Sequence, residues 1–342
     1  MTHVHDQHCG HGHGDNPIDI HAHFFPQQFL QAIAKAGPDC GAEIKEIPGK
    51  GMSLKVADIQ LPPLTPQFVH MDARLEAMAA AGVSVHALSL SLPMVDWAKR
   101  PFAHQLSEIY NDAATEACIA NPDKLLNFIS LPMNEPDLAI RELTRMAGLP
   151  STRGVYLSTQ ISGHDLSDEK FFTIYEAIEA TGLPIFLHPC EVIGNERLKK
   201  FYLQNLLGNP FETAIAAGHL IFGGVLDRFP KITWVLPHAG GAFPYLIGRL
   251  QRGYDKRREP YGCKLGPTEY LRHFYYDTIS YADKSLQYLK DLVGADRIMM
   301  GSDYCFPIAY ERPVEIVTAH AGFNAEEQAL VLEGTARRLL RL

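Results

Sequence analysis

The chain has 342 residues, of which 46% are hydrophobic and 20% charged, and its formal net charge is −8 at pH 7. This composition excludes an intrinsically disordered chain and is typical of a globular protein that can bury a sizeable core. The acidic balance disfavours a nucleic-acid partner, because such partners select basic surfaces. No apolar run approaches the roughly 18 residues that a membrane span needs.

Residues 1–16 form a leader in which histidines alternate with glycines and polar residues. Its histidines are His3, His5, His8, His11 and His13. Glycine and polar side chains cannot build a packed core, so we predict that the leader is disordered. Such a tail could bind divalent metal weakly, but a solvated tail without a role is the simpler interpretation. Residues 17–342 are predicted to form a single domain.

The amino terminus and the cysteines indicate the cellular compartment. Residues 1–8 contain no apolar core of a signal peptide, and the six cysteines are scattered without paired spacing. Scattered cysteines in a chain of this size are typical of free thiols rather than of a disulfide framework. We therefore expect a cytoplasmic protein without a membrane partner.

From residue 17 onward, short apolar runs alternate with segments of helical periodicity. The predicted strands cover residues 18–23, 85–92, 126–131, 154–158, 184–188, 232–238, 274–279 and 297–303. The predicted helices cover residues 27–36, 72–81, 104–120, 136–147, 168–180, 211–229, 242–257 and 285–293, followed by 313–321, 325–332 and 335–340. Eight strands that are each followed by a helix predict a (β/α)8 TIM barrel. A long insertion, with a short hairpin expected around residues 44–59, follows the first strand, and additional helices close the chain.

Several polar residues lie where this barrel would carry its active site, at the carboxyl ends of the strands. His21 and His23 end the first predicted strand, His188 the fifth, His238 the sixth and Asp303 the eighth. One such histidine would more often be a buried residue with an ordinary hydrogen bond. Five residues at the correct strand ends predict a metal site, and imidazole with carboxylate suits Zn²⁺ or a similar divalent ion.

Four short motifs carry a resemblance to a known family. They are HAHFFP from His21, LHP around His188, HAGG from His238 and GSDY around Asp303. In this order they resemble the amidohydrolase superfamily, in particular its decarboxylase branch, of which 2-amino-3-carboxymuconate-6-semialdehyde decarboxylase is typical. The resemblance covers nearly the whole chain after residue 16.

The resemblance implies roles for these residues. His21, His23, His188 and Asp303 would hold one Zn²⁺ ion, with Mn²⁺ also possible. His238 would stay off the metal as the general base, and Asp303 would be a second acid or base. The predicted fourth strand has no lysine at its end, where binuclear relatives carry a bridging residue, which favours a single ion.

The resemblance also implies a cation for the carboxylate of the substrate. Arg249, eleven residues after His238, matches the position from which the family supplies an arginine across a dimer interface. An ordinary surface charge is the other interpretation. No arginine lies between His23 and Arg74, where the typical enzyme has a second one; the sequence has Lys45, Lys50 and Lys55 instead. We therefore expect a homodimer, with a substrate that need not be aminocarboxymuconate.

These residues predict a metal-dependent, non-oxidative decarboxylase of a small aromatic or muconate-like carboxylic acid, without an organic cofactor. A hydrolase or hydratase on the same scaffold is the alternative, in which an activated water attacks a lactone, an amide or a double bond. A metal-handling protein, suggested by the histidine-rich leader, is a more remote alternative.

Overall fold

The computed structural model describes residues 16–57 and 59–342, so almost all of the predicted leader lies outside the described residues. The strands are β1 (Ile18–His23), β2 (Ala42–Ile47), β3 (Gly51–Val56), β4 (Ile59–Gln60), β5 (Val85–Ser89), β6 (Leu125–Ser130), β7 (Thr152–Ser158), β8 (Gln160–Ile161), β9 (His164–Asp165), β10 (Ile185–His188), β11 (Trp234–Leu236), β12 (Phe274–Asp277) and β13 (Ile298–Met299). The α-helices are α1 (Gln27–Ala36), α2 (Pro66–Val69), α3 (Met71–Ala81), α4 (Phe102–Ala120), α5 (Pro136–Met146), α6 (Phe172–Thr181), α7 (Asn195–Leu198), α8 (Asn209–Phe222), α9 (Val225–Arg228), α10 (Phe243–Lys256), α11 (Asp283–Val293), α12 (Pro313–Thr318), α13 (Ala325–Ala329) and α14 (Thr335–Leu340). Short 3-10 helices span Gly37–Cys40, Glu169–Phe171, His238–Gly240, Pro267–His273 and Ala295–Arg297, and π-helical turns span Gln204–Gly208 and Leu330–Gly334. Within these ranges, no helix is both long and apolar enough to cross a membrane.

Eight of the strands form one parallel sheet, in the order β1, β5, β6, β7, β10, β11, β12 and β13. The sheet closes on itself because Ile20 N–H donates to the carbonyl of Met300 (3.1 Å) and His23 N–H donates to that of Tyr304 (2.6 Å). A helix follows each of these strands, since parallel neighbours need a crossover connection that packs against the sheet. The predicted (β/α)8 barrel is therefore confirmed.

Large side chains fill the inside of the barrel. Phe128 on β6 and Phe186 on β10 stack with their ring centroids 4.0 Å apart. Gly154 on β7, the strand between them, makes room for this stack, because a β-carbon there would lie 3.0 Å from the Phe128 ring. The same apolar layer includes Ile18, Ile20, Val85, Leu126, Val235 and Met299. Above this apolar layer, the polar residues at the strand ends occupy the open end of the barrel.

The insertion after β1 folds as a small antiparallel sheet, in which β2 pairs with β3 and β3 with β4. The β2–β3 turn contains Gly49 and Gly51, whose φ angles of +71° and +99° favour glycine over other residues. The last strand brings Ile59 and Gln60 to a cavity that also contacts the strand ends. The predicted hairpin is confirmed, and it forms part of the wall of the site described below.

Five barrel strands, β5, β6, β11, β12 and β13, end earlier than predicted, and the ends of β11 and β13 matter most for the site. β11 ends at Leu236 and β13 at Met299, whereas the sequence predicted strands through residues 238 and 303. His238 and Asp303 have φ angles of +54° and +65°, and a residue in this left-handed region cannot continue a strand. Both side chains therefore project from tight turns that follow the sheet.

Asn111 in α4 is expected to contribute strongly to the attachment of this helix to the barrel. The buried amide accepts a hydrogen bond from Ser130 N–H (2.8 Å) and donates to the Ser130 carbonyl (2.9 Å) and to Glu142 (2.6 Å). Asn111→Ala leaves these groups without their partner, so we expect the free energy of unfolding to fall by about 2–4 kcal/mol. Urea unfolding followed by circular dichroism measures this change.

Gln105→Ala is the matched control, at an exposed position of the same helix. Its free energy of unfolding should change by no more than about 0.5 kcal/mol, because surface substitutions away from such contacts have small effects. If Asn111→Ala were as stable as this control, the hydrogen bonds of Asn111 would not hold α4 to the barrel.

Candidate metal centre

Four side chains meet at the open end of the barrel and could hold a metal ion. His21, His188, His238 and Asp303 each offer one nitrogen or oxygen atom, and these atoms lie within 4.8 Å of one another. They come from β1, from β10 and from the turns after β11 and β13. His238 is partly exposed and the other three are buried. The structure thus brings together residues that lie far apart in the sequence.

His23 lies beside this group of four. Its Nε2 atom is 3.1 Å from Asp303 Oδ1, and its ring centroid is 5.0 Å from that of His21 and 4.9 Å from that of His188. The five strand-end residues singled out in the sequence therefore share one site. Arg249 is separate from them: it is exposed on α10 and lines neither of the two cavities described below.

Unpaired nitrogen atoms indicate that the group of four fits a metal ion. His21 Nε2, His188 Nδ1 and His238 Nδ1 are buried and have no hydrogen-bond partner among the described residues. Buried polar atoms are normally paired, and leaving one unpaired costs free energy. Unpaired nitrogens on three of the four residues therefore fit a ligand that accepts their lone pairs.

Burial and charge set protonation states that suit metal binding. Burial lowers the pKa of His23 to about 4 and that of His188 well below its usual value, so both imidazoles are neutral near pH 7. Burial alone would raise the pKa of Asp303, but the hydrogen bond to His23 and the charges of His21 and His238 lower it overall. Neutral imidazoles with an ionised carboxylate are the ligands that Zn²⁺ and similar divalent ions prefer. Burial alone would lower the pKa of His21, but the hydrogen bond to Asp277 and the charge of Asp303 raise it overall, so a metal ion would compete with a proton at this ring.

Asp277 is a site residue that the sequence analysis missed. It ends β12, at the same end of the barrel as the group of four. Its Oδ2 atom lies 2.8 Å from His21 Nδ1, and its two oxygens accept the N–H groups of His238 (3.0 Å) and Ala239 (2.7 Å). The signal that could have identified Asp277 in the sequence was its place close to the end of the predicted seventh strand. The predicted seventh strand ran on to residue 279, so Asp277 was not recognised as a strand-end residue.

Asp19 is a second buried carboxylate that the sequence analysis missed. It accepts hydrogen bonds from the N–H groups of His21 (2.9 Å) and Ser302 (3.1 Å) and from the Ser302 hydroxyl. Burial raises the pKa of Asp19 to about 6, although these hydrogen bonds oppose the shift. Asp19 therefore ties β1 to the turn that carries Asp303. At this point β1 is irregular, with a register shift between Asp19 and Ala22, so simple alternation of side chains does not describe the strand.

Two cavities adjoin the group of four. The smaller, about 70 Å³, is bounded by His188, Asp303 and the end of the insertion. The larger, about 490 Å³, starts at His238 and extends past Tyr281 towards the surface. Among the residues described by the structure, Lys284 is the one lysine or arginine that lines it. A cavity of this size, whose lining combines apolar residues with three tyrosines and several polar side chains, suits a small organic molecule.

A family model described as amidohydrolase matches residues 18–342 of the chain. The 2-amino-3-carboxymuconate-6-semialdehyde decarboxylase of Dictyostelium discoideum is 32% identical over 279 residues, which cover 79% of this chain and 76% of the relative. The gamma-resorcylate decarboxylase of Rhizobium radiobacter is 28% identical over 294 residues, which cover 79% and 87%.

A solved structure has the same fold as this chain. The crystal structure of Metarhizium anisopliae IDCase in its apo form superposes with a TM-score of 0.84 at 25% identity. The superposition covers 95% of this chain and 97% of that one. The arrangement of the barrel and its additional helices is therefore shared over nearly the whole length of both proteins.

Removal of two donors from the group of four is expected to abolish tight metal binding. We expect the full-length chain to bind one divalent ion. His188→Ala/Asp303→Ala should lower the affinity for Co²⁺ by at least about 100-fold, because even the loss of a residue that only supports a ligand costs about 10–100-fold. Competition with a chromophoric chelator measures the affinity, and elemental analysis measures the metal content.

His104→Ala is the control for this experiment. His104, Glu108 and Glu142 form a second group of possible ligands, but Glu142 is already paired with Arg145 at 2.7 Å. We therefore expect this variant to bind metal as the parent does. If the double variant kept one tightly bound ion, the metal would be held elsewhere, for example by the histidine-rich leader.

Proposed function

The chain belongs to the amidohydrolase family, and we propose that it is a metal-dependent, non-oxidative decarboxylase of a small aromatic or muconate-like carboxylic acid. The observation that carries the proposal is the group of three histidines and one aspartate at the barrel mouth, open to a cavity through His238. The two relatives named as decarboxylases support the choice of reaction.

One Zn²⁺ ion, with Mn²⁺ as the alternative, is the proposed cofactor. His21, His23, His188 and Asp303 are its proposed ligands, as the resemblance implies. His238, although it belongs to the group of four, is then free to act on the substrate. When bound, the ion supplies positive charge that attracts the oxygen atoms of the substrate and stabilises negative charge as CO₂ is lost. Residues 154–159, at the end of β7, include no lysine that could bridge two ions, which supports a single ion.

The proposed reaction exchanges a carboxylate group for a proton. The bond between the carboxyl carbon and its neighbour breaks, its electron pair stays on the neighbouring carbon, that carbon takes up a proton, and CO₂ leaves. His238 is the proposed proton shuttle. Burial lowers its pKa, so the imidazole is neutral near pH 7 and can both accept and return a proton. Asp303 is the second proposed acid or base.

Arg249 is the proposed partner of the substrate carboxylate, acting across a homodimer. It is exposed on α10, a helix whose Tyr245 is 80% exposed and lines the larger cavity. Because Arg249 does not line the cavity of its own chain, the role requires a second copy of the chain. Lys284, which does line that cavity, is the alternative cation within one chain. Lys45 is a poorer candidate, since it pairs with Glu43 at 3.0 Å.

The proposed location is the cytoplasm. Cys40, Cys118, Cys190, Cys263 and Cys305 are all free thiols in the part of the chain that the structure describes. Free thiols persist in a reducing compartment, whereas secreted proteins tend to pair theirs.

A hydrolase or hydratase remains the alternative reaction on this scaffold. The same base would then direct a water molecule onto a lactone, an amide or a double bond. This alternative predicts incorporation of solvent oxygen without release of CO₂. A metal-handling protein would need no base at all, so it predicts that His238 can be removed without consequence for the role of the protein.

His238→Ala is expected to abolish decarboxylation while the metal is retained. Loss of a positioned proton carrier typically costs about 10²–10⁴-fold in rate, so we expect turnover to fall by at least about 100-fold. The assay is CO₂ release from a panel of aromatic and muconate-like acids by the purified, metal-loaded enzyme, with metal content measured on the same samples.

The control for this substitution is His273→Ala, which removes an exposed histidine just before β12, at the end of that strand opposite to Asp277. It should release CO₂ at the parental rate. Full activity of His238→Ala would contradict the proposed role of this residue. Solvent oxygen in the product, without CO₂ from any of the acids, would favour the hydrolase or hydratase.

Mixing two inactive variants tests Arg249 and the homodimer together. If Arg249 serves the site of the partner subunit, a mixed dimer of Arg249→Ala and His238→Ala contains one site in which both residues are intact. Heterodimers isolated through both tags should then show about half of the parental activity, because one of their two sites is intact. The measurement is CO₂ release after the two proteins are co-expressed with different affinity tags and co-purified.

Arg249→Ala co-expressed with itself is the control and should stay inactive. No recovery in the mixed dimer would mean that Arg249 acts within its own chain, and parental activity of Arg249→Ala alone would mean that Arg249 has no role. Lys284→Ala would then be the next substitution to examine, because Lys284 is the cation that lines the cavity in a single chain.

A further inference from the structure

We propose that Asp277 fixes the ring tautomer of His21, so that the Nε2 atom of this histidine presents its lone pair to the metal. Asp277 is then a positioning residue, which acts through His21 rather than on the substrate. The inference rests on the proposed metal-dependent function, and its test includes a measurement that does not depend on catalysis.

The two ring nitrogens of His21 have different surroundings. Nδ1 lies 2.8 Å from Asp277 Oδ2, whereas Nε2 is buried without a hydrogen-bond partner among the described residues. Nε2 also lies 3.4 Å from Asp303 Oδ1, inside the group of possible metal ligands. An ionised carboxylate can only accept hydrogen bonds, so the proton of the neutral imidazole belongs on Nδ1. The lone pair is then on Nε2, where a metal ion can use it.

The surroundings of Asp277 favour its acceptor form. Its side chain is fully buried. Besides the His21 ring, it receives the N–H groups of His238 (3.0 Å), Ala239 (2.7 Å) and Ile279 (3.0 Å). All four of these contacts require acceptor oxygens on Asp277 if His21 donates, and the ionised carboxylate supplies them without a competing proton.

The same carboxylate also positions His238. His238 and Ala239 both have φ angles of +54°, a left-handed conformation that costs free energy in residues other than glycine. The hydrogen bonds from their N–H groups to Asp277 oppose this cost. One buried residue therefore contacts the ring of one site histidine and the backbone of another.

Asp277→Asn is the most informative substitution, because an amide has nearly the shape of a carboxylate. Its oxygen can still accept the N–H groups of Ala239 and Ile279. Its NH₂ group then faces His21 Nδ1, and a donor there forces the imidazole proton onto Nε2. That proton would block the lone pair needed by the metal, so we expect the affinity for Co²⁺ to fall by about 10–100-fold.

Asp19→Asn is the matched control. Asp19 is also fully buried and also touches His21, but it accepts the backbone N–H (2.9 Å) and has no hydrogen bond to the ring. If the effect at Asp277 came only from removing a buried charge close to the site, both variants would lose affinity alike. We expect Asp277→Asn to lose at least about tenfold more affinity than Asp19→Asn, although thermal unfolding should show destabilisation of both.

The tautomer itself is measured by ¹⁵N NMR of the full-length, metal-free chain labelled at histidine. The spectra are recorded at a pH high enough to deprotonate His21, because burial lowers the pKa of this ring but the hydrogen bond to Asp277 and the charge of Asp303 raise it overall. The resonances of His21 are assigned from their absence in His21→Gln. We expect the proton on Nδ1 in the parent and in Asp19→Asn, and on Nε2 in Asp277→Asn. A proton on Nε2 in the parent, or parental Co²⁺ affinity in Asp277→Asn, would overturn the inference. Failure of the proposed decarboxylase would instead appear as missing CO₂ release with these results unchanged.

Discussion

The closure of the barrel between β1 and the segment after β13 is the contact on which the site depends. His23 N–H bonds to the Tyr304 carbonyl, and Asp19 receives two hydrogen bonds from Ser302. These contacts bring His23 within 3.1 Å of Asp303, a residue 280 positions away in the chain. Without this closure, His21 and His23 on β1 and Asp303 after β13 would lie at opposite edges of an open sheet and could not serve as ligands of one ion.

The surroundings of His21 explain why a cation belongs at this closure. Its ring lies between two carboxylates, with Asp277 at Nδ1 and Asp303 close to Nε2. A neutral imidazole can donate a hydrogen bond to only one of them, so its remaining lone pair faces an oxygen lone pair of the other. A divalent ion between nitrogen and oxygen converts this repulsion into two favourable contacts. Metal binding and the stability of the folded chain are then linked, because the unfolded chain has no such site.

The residues deep in the site and those at its rim come from different parts of the fold. The possible metal ligands come from strand ends above a packed apolar floor, where position is set by the sheet. The walls of the cavities come from the insertion, for example Ile59 on β4, and from segments that follow the barrel strands, for example Lys284 on α11. Loops on a rigid barrel vary without disturbing its core, which is how one fold supports many substrates. The reaction class therefore follows from the deep residues, and the substrate from the rim.

The sequence by itself determined the barrel and the strand-end histidines, because strand and helix periodicity is local and this fold places its chemistry at strand ends. β1 and α1 have the bounds that were predicted. The ends of β11 and β13 were wrong, since the left-handed turns at His238 and Asp303 have no periodic signal. Only the tertiary structure decided that Asp277 meets His21, 256 positions away, and that Arg249 lies outside the cavities of its own chain. Such contacts depend on how the closed barrel aligns distant strands, which no local pattern encodes.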